Sequence, residues 1–186
     1  TSLDGLPVVT ADLHSALPAI LAGCRADRPG CRVAYVMTDG GALPAWFSRT
    51  LDGLRDHLAG TVTTGQAFGG DLEAGTVHTG LLAARHVLAA DVTVVSQGPG
   101  NLGTGTTWGF SGVAAGEAVN AVAVLGGRPV GSLRISTGDA RARHRGVSHH
   151  SLTAYGRVAL APADLAVPDR LAADVEAALV SLAERH

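Results

Sequence analysis

Short apolar runs of strand length alternate along this chain with longer stretches whose apolar residues recur at helical spacing. That is the βαβ rhythm of a parallel sheet covered by helices. Runs at 6–9, 32–37, 61–66, 91–96 and 130–136 predict five strands. The fourth, with Val92, Val94 and Val95, has the apolar content of a strand buried on both faces. Between them the pattern predicts a helix capped at Ser15 with Pro18 in its first turn, and a second opened by Pro44 and carrying Phe47, Leu51, Leu54 and Leu58. A third spans 75–90 with Val77, Leu81, Ala84 and Leu88 on one face, and a fourth spans 112–125, ended by Gly126-Gly127. Ser148 is placed to cap a fifth helix with Leu152, Tyr155 and Ala159. The stretch 162–168 is expected as a linker to a last helix, 169–184, with a stripe of Leu171, Val175, Leu179 and Leu182. The expected architecture is α/β and three-layer: an open, mostly parallel, Rossmann-like sheet of about five strands in a single domain over 1–186. Because the chain begins at Thr1, it is expected to be an excerpt of a longer one.

Composition narrows the function classes. Hydrophobic residues make up 46% of the chain and Asp, Glu, Lys and Arg only 16%, which suits a packed domain and suggests surface covered by other protein. The expected partner is therefore a second copy, in a homo-oligomer, or further parts of the chain. Net charge is −2, without the positive field that general nucleic-acid binding needs. All 14 basic residues are arginine, so no lysine can supply a Schiff base or a P-loop cation. Cys24 and Cys31 form neither a zinc motif nor a disulfide scaffold and read as structural. No membrane span and no signal peptide is evident, so a cytoplasmic location is expected.

In open α/β sheets ligands sit beyond the carboxyl ends of the strands, and the loops there carry most of the candidate chemistry. Gly98, Gly100 and Gly103 form a GxGxxG pattern directly after the fourth strand. Pro99 interrupts it, and no helix start lies inside the motif, so a nicotinamide or flavin dinucleotide is disfavoured. Backbone N–H groups of such a loop, with Asn101 and Thr104, can still wrap an anion. Trp108 and Phe110 in the same loop suggest a lid or a subunit contact. The second candidate segment is 141–150, with Arg141, Arg143, Arg145, His144, His149 and His150 crowded around the helix at Ser148. Cations are disfavoured at a helix N-terminus unless an anion sits there, so Arg143, Arg145 and Ser148 are expected to hold a phosphate or carboxylate. His144, His149 and His150 are the candidates to move protons. Asp39 is a further ligand-edge residue, and Asp12, His14, Asp71, Glu73, His78 and Glu117 are secondary candidates. A divalent metal is left open as a cofactor, with no residue assigned to it. His149 and His150 are neighbours and should diverge by about 100° on a helix, which argues against one ion taking both.

The blocks VVSQGPGNLGTGTTWGFSGV, HRGVSHHSLTAYGRV, AYVMTDGGALP and GQAFGGDLEAGTVHTGL resemble the signature segments of a bacterial family of unknown function, DUF3866. The resemblance covers essentially the whole chain. It implies a cytoplasmic bacterial protein, actinobacterial from the arginine usage, belonging to a family of longer proteins; it implies no activity. Three functions fit these observations. The first is an enzyme acting on a small phosphorylated or carboxylated metabolite. The others are a non-catalytic anion-binding or regulatory domain, and a structural oligomerisation domain.

Overall fold

Seven parallel strands form the central sheet of the computed structural model, which describes residues 1–41, 43–170 and 173–184. In chain order they are β1 (Pro7–Ala11), β2 (Val33–Thr38), β3 (Gly60–Thr64), β4 (Leu72–Ala74), β5 (Val92–Gln97), β6 (Arg128–Ser132) and, after a small ribbon, β9 (Asp164–Ala166). Their order across the sheet is β4-β3-β2-β5-β1-β6-β9, and every neighbouring pair is parallel. The α/β fold with a parallel sheet stands as expected, but with seven strands rather than five. The two additional strands lie at the edges, are three residues long and carry Glu73 and Asp164, so no apolar run marks them. β9 falls inside the stretch expected as a linker. The run 130–136 divides: β6 ends at Ser132, and β7 (Ile135–Ser136) pairs antiparallel with β8 (Gly146–Val147), closing the basic loop at its base.

The helices follow from local chemistry. α1 (Leu17–Asp27) carries Pro18 in its first turn, preceded by a 3-10 turn over His14–Ala16, and Ser15 does not cap it. The helix expected from Pro44 is broken. Ser48 takes an extended conformation and accepts a hydrogen bond from the Leu51 amide, so α2 (Arg49–Leu54) starts there, with a 3-10 turn on either side and Phe47 exposed. Thr76 and Thr79 form a reciprocal capping box on α3 (Val77–His86). α4 (Ala114–Val124) follows the glycine loop after a 3-10 turn, so no helix N-terminus lies inside the glycine motif. α5 (His149–Thr153) is a single turn continued by a π turn, Ala154–Val158. α6 (Ala173–Ala183) buries Val175 and Leu182, while Leu171 lies outside the described residues. No described helix is long and apolar enough to cross a membrane.

Two apolar layers sandwich the sheet. α1 and α2 pack Leu17, Leu21 and Leu51 against Val33, Tyr35, Met37 and Val94. On the other face α3 and α4 pack Leu81, Ala84, Ala118 and Val122 against Val8, Ala34, Val36 and Val95. The chain therefore leaves β1 toward one face and the adjacent β5 toward the other. The loops after two neighbouring strands part there, and open α/β sheets bind ligands at such switch points. The candidate residues are gathered at that switch point.

Candidate functional site

Asp12 directly follows β1 and is only 3% exposed. Gln97, the last residue of β5, donates from Nε2 to the Asp12 carbonyl at 2.8 Å and ties the two strand ends together. Gly112 lies against the same residue: a Cβ there would stand 2.9 Å from the Asp12 Cβ and 3.0 Å from its carbonyl oxygen. Only glycine allows the glycine loop to close over Asp12.

The basic loop brings the histidines to the same place. Ser148 Oγ accepts from the His150 amide at 3.2 Å, capping α5 as expected, and meets His144 Nδ1 at 2.7 Å. His144 (2% exposed) and His150 (6%) are buried, and His149 is half-buried. The ring of His150 stacks on Phe110 of the glycine loop, centroids 3.8 Å apart and planes within 3°. The rings of His149 and His150 lie 4.4 Å apart, and those of His144 and His150 4.9 Å. The expected divergence of 149 and 150 does not hold. These residues open a one-turn helix, and rotation about their side-chain bonds brings the rings together where Phe110 clamps one of them. One ring nitrogen from each of His144, His149 and His150 lies within 4.8 Å of the other two. Asp12 Oδ2 lies 3.5 Å from His150 Nδ1.

Burial and neighbouring charge act on two of these imidazoles. Burial, then the charges of Arg134 and Arg141 and the other imidazoles, push the His144 pKa down to about 4. Burial, with His150 and Arg143 nearby, lowers that of His149. Arg134 and Arg141 are both held by Asp139, Arg141 through two guanidinium bonds of 2.9 and 3.0 Å. Hydrogen bonds from Arg141 hold the Asp139 carboxyl far below the usual carboxylate range. Arg143 and Arg145 are exposed and make no ion pair among the described residues, and the Arg143 guanidinium stands 3.6 Å from where a Cβ on Gly105 would be. The basic loop and the glycine loop thus touch at two points, Phe110–His150 and Gly105–Arg143.

The other expected site residues divide clearly. Gly98, Gly100 and Asn101 line a cavity of about 190 Å³ with His14 and Gln97. The Gly98 amide is spent on the Thr38 carbonyl. Thr104 and Gly103 belong to a hairpin-like flap: Gly103 bridges to Phe110, and the Thr104 hydroxyl bonds Thr106 and the Gly109 carbonyl, leaving it little capacity for a ligand. Both nitrogens of His14 are engaged, Nδ1 by Tyr35 OH at 2.8 Å and Nε2 by Ser48 Oγ at 2.6 Å, on the opposite face of the sheet. Asp71 accepts from the amide and hydroxyl of Thr61, and Glu73 from the Gly69 amide, so both are tied into edge structure. Asp39 and Glu117 share a separate cleft with Thr38 and Thr64, and His78 is exposed on α3.

The chain matches, over residues 1–185, the family model described as Protein of unknown function (DUF3866). The chain belongs to the DUF3866 family. No curated protein and no solved structure matches it. In this DUF3866 chain the two long blocks, 94–113 and 144–158, are the segments that meet at Phe110 and His150. Sequence reasoning missed what Phe110, Gln97 and Asp139 do in this DUF3866 chain. Phe110 is expected from the sequence as a lid or a subunit contact, Gln97 falls in the ligand-edge loop without a role, and Asp139 is not singled out. The roles of Phe110 and Gln97 depend on contacts between distant segments, which no local pattern reports, and Asp139 holds Arg141 two residues on.

Proposed function

We propose that the protein is an enzyme acting on a small phosphorylated or carboxylated metabolite bound in the crevice beyond β1 and β5. Arg143 and Arg145, which pair with no carboxylate among the described residues, hold the anion. The imidazole cluster with Asp12 forms the reacting centre beneath them. One observation carries the proposal: the basic loop and the glycine loop are in direct contact, with Phe110 stacked on His150 at 3.8 Å. Two segments separated by about 40 residues of chain thus meet at one place. The N-terminus of α5 contributes little, because the helix is one turn long and Ser148 already satisfies the His150 amide.

Asp12 beside His150 favours turnover over mere binding, since an acid next to an imidazole can orient and stabilise it during proton transfer. The test is calorimetric titration with inorganic phosphate and a panel of phosphorylated and carboxylated metabolites. Arg143→Ala should weaken binding about tenfold or more while leaving the thermal midpoint unchanged. Unchanged affinity removes Arg143 from the site. A tight ligand recovered unaltered after prolonged incubation would identify a sensor instead of an enzyme.

An assembly role draws on a different observation. Trp46 and Phe68 pack edge to face with centroids 5.1 Å apart, yet both are exposed, as are Phe47 and Trp108. Sedimentation equilibrium is the check, and a monomer at every concentration tested would discard it.

A further inference from the structure

We infer that His144, His149 and His150, with Asp12, form a binding site for one divalent transition-metal ion of the Zn²⁺ type. The site lies in the imidazole cluster of the proposed reacting centre and does not depend on the anion binding; with an ion bound, Asp12 and His150 serve as ligands in place of a proton-transfer pair.

Geometry is the first ground. One nitrogen from each of the three imidazoles lies within 4.8 Å of the others, and they are the one group of three or more histidine, cysteine or acidic side chains so gathered among the described residues. Nitrogens on a tetrahedral ion stand about 3.3 Å apart, a separation that small side-chain rotations reach from here. Asp12 Oδ2, at 3.5 Å from His150 Nδ1, supplies a fourth donor or orients a water in its place.

The second ground is an unmet requirement of the buried interior. Asp12 Oδ2, His149 Nε2 and His150 Nδ1 are all buried without a hydrogen-bond partner. Buried polar atoms seldom go unpaired, because each then carries its full desolvation cost. A single ion satisfies all three. By contrast His14, equally buried, has both nitrogens bonded.

A third ground is the support around the ligands. Ser148 Oγ meets His144 Nδ1 at 2.7 Å, which fixes that ring and leaves Nε2 as its donor. Phe110 holds the His150 ring by stacking. An anion in the same place would meet the Asp12 carboxylate, 3.5 Å from His150 Nδ1. The neighbouring guanidinium groups of Arg134 and Arg141 are committed to Asp139, which offsets their repulsion of a cation. Three nitrogen donors select a borderline ion and disfavour Mg²⁺ and Ca²⁺, which take oxygen ligands.

The experiment titrates chelator-treated protein with Zn²⁺ by calorimetry and with Co²⁺ by visible absorption. The expected result is one ion per chain, intense four-coordinate Co²⁺ bands, and a thermal midpoint raised by Zn²⁺ and restored by chelator. His149→Gln, at the half-buried position, should weaken Zn²⁺ binding about tenfold or more, and Ser148→Ala by roughly the same factor through the ring it orients. His78→Gln is the control and should change nothing. Folded wild-type protein that binds no Zn²⁺, or binds it as tightly after His149→Gln, overturns the site. The wild-type Co²⁺ spectrum decides the matter should a variant fail to fold. Phosphate affinity and its loss in Arg143→Ala are measured on the metal-free protein, so failure of either proposal is visible without the other.

Discussion

At the scale of residues, burial lowers the pKa of His14, His144 and His149, and the buried Tyr35 hydroxyl is paired. That hydroxyl bonds His14 Nδ1 and Ser96 Oγ, each at 2.8 Å, in the middle of the apolar layer under α1. Tyr35→Phe fills the same space but strands His14 Nδ1, while Ser96 Oγ keeps the Gln97 carbonyl, and should lower unfolding free energy by about 1–3 kcal/mol in urea titration. The pH dependence has a defined sign. His14, His144 and His149 all have folded pKa values below the ordinary 6.5, with burial as the first cause. Above that value both states are neutral and these groups contribute no pH dependence. As pH falls through 6.5 the unfolded chain takes up protons that the folded chain refuses, so stability declines. Chelator-treated protein should show a lower urea midpoint at pH 5 than at pH 8. A midpoint unchanged or higher at pH 5 would mean these rings protonate freely in the fold.

At the scale of elements, caps and close approaches decide where helices begin and where loops lie. Thr76 and Thr79 close a reciprocal box at the start of α3, and Thr76→Ala should cost about 1 kcal/mol by thermal or chemical denaturation. The turn after β2 illustrates the second device. A Cβ on Gly41 would collide with the backbone carbonyls of Gly98, Pro99 and Gly100, so the Asp39-Gly40-Gly41 turn packs directly on the glycine loop. Gly41→Ala should displace that loop and weaken any ligand it helps to enclose, read as faster proteolysis between residues 98 and 110. An unchanged cleavage pattern would show that the loop holds its position by other contacts. Elements with strong apolar patterns, β2, β5 and α3, are where the spacing put them to within a few residues. The helix expected from Pro44 failed because Ser48 is the better cap, and its extended backbone starts a new helix. The helix expected after Ser148 runs only one α turn before widening into the π turn, where the Ala154 carbonyl crowds Gly116 of α4.

At the scale of the whole molecule, strand order creates the site. β5 inserts between β2 and β1, and the loops leaving β1 and β5 go to opposite faces, so Asp12 and the glycine loop meet at the switch point. The sequence by itself determined the α/β class and the central strands, and it marked the loops at their carboxyl ends as holding the candidate residues. Periodicity reports local burial, and these features depend on it. It also marked Asp12, His144, His149 and His150 as candidates, since polar residues in those loops are visible one at a time. The edge strands stayed hidden because three residues with a charge among them carry no period. Tertiary structure alone decided which candidates converge. It sent His14 into the core beneath α1, tied Asp71 and Glu73 into edge turns, and brought His144, His149 and His150 to Asp12 under Phe110. Those meetings join residues up to 138 positions apart, from Asp12 to His150, and depend on the crossover of β5. No local pattern encodes a crossover, because it is set by how all the strands and helices bury their faces together.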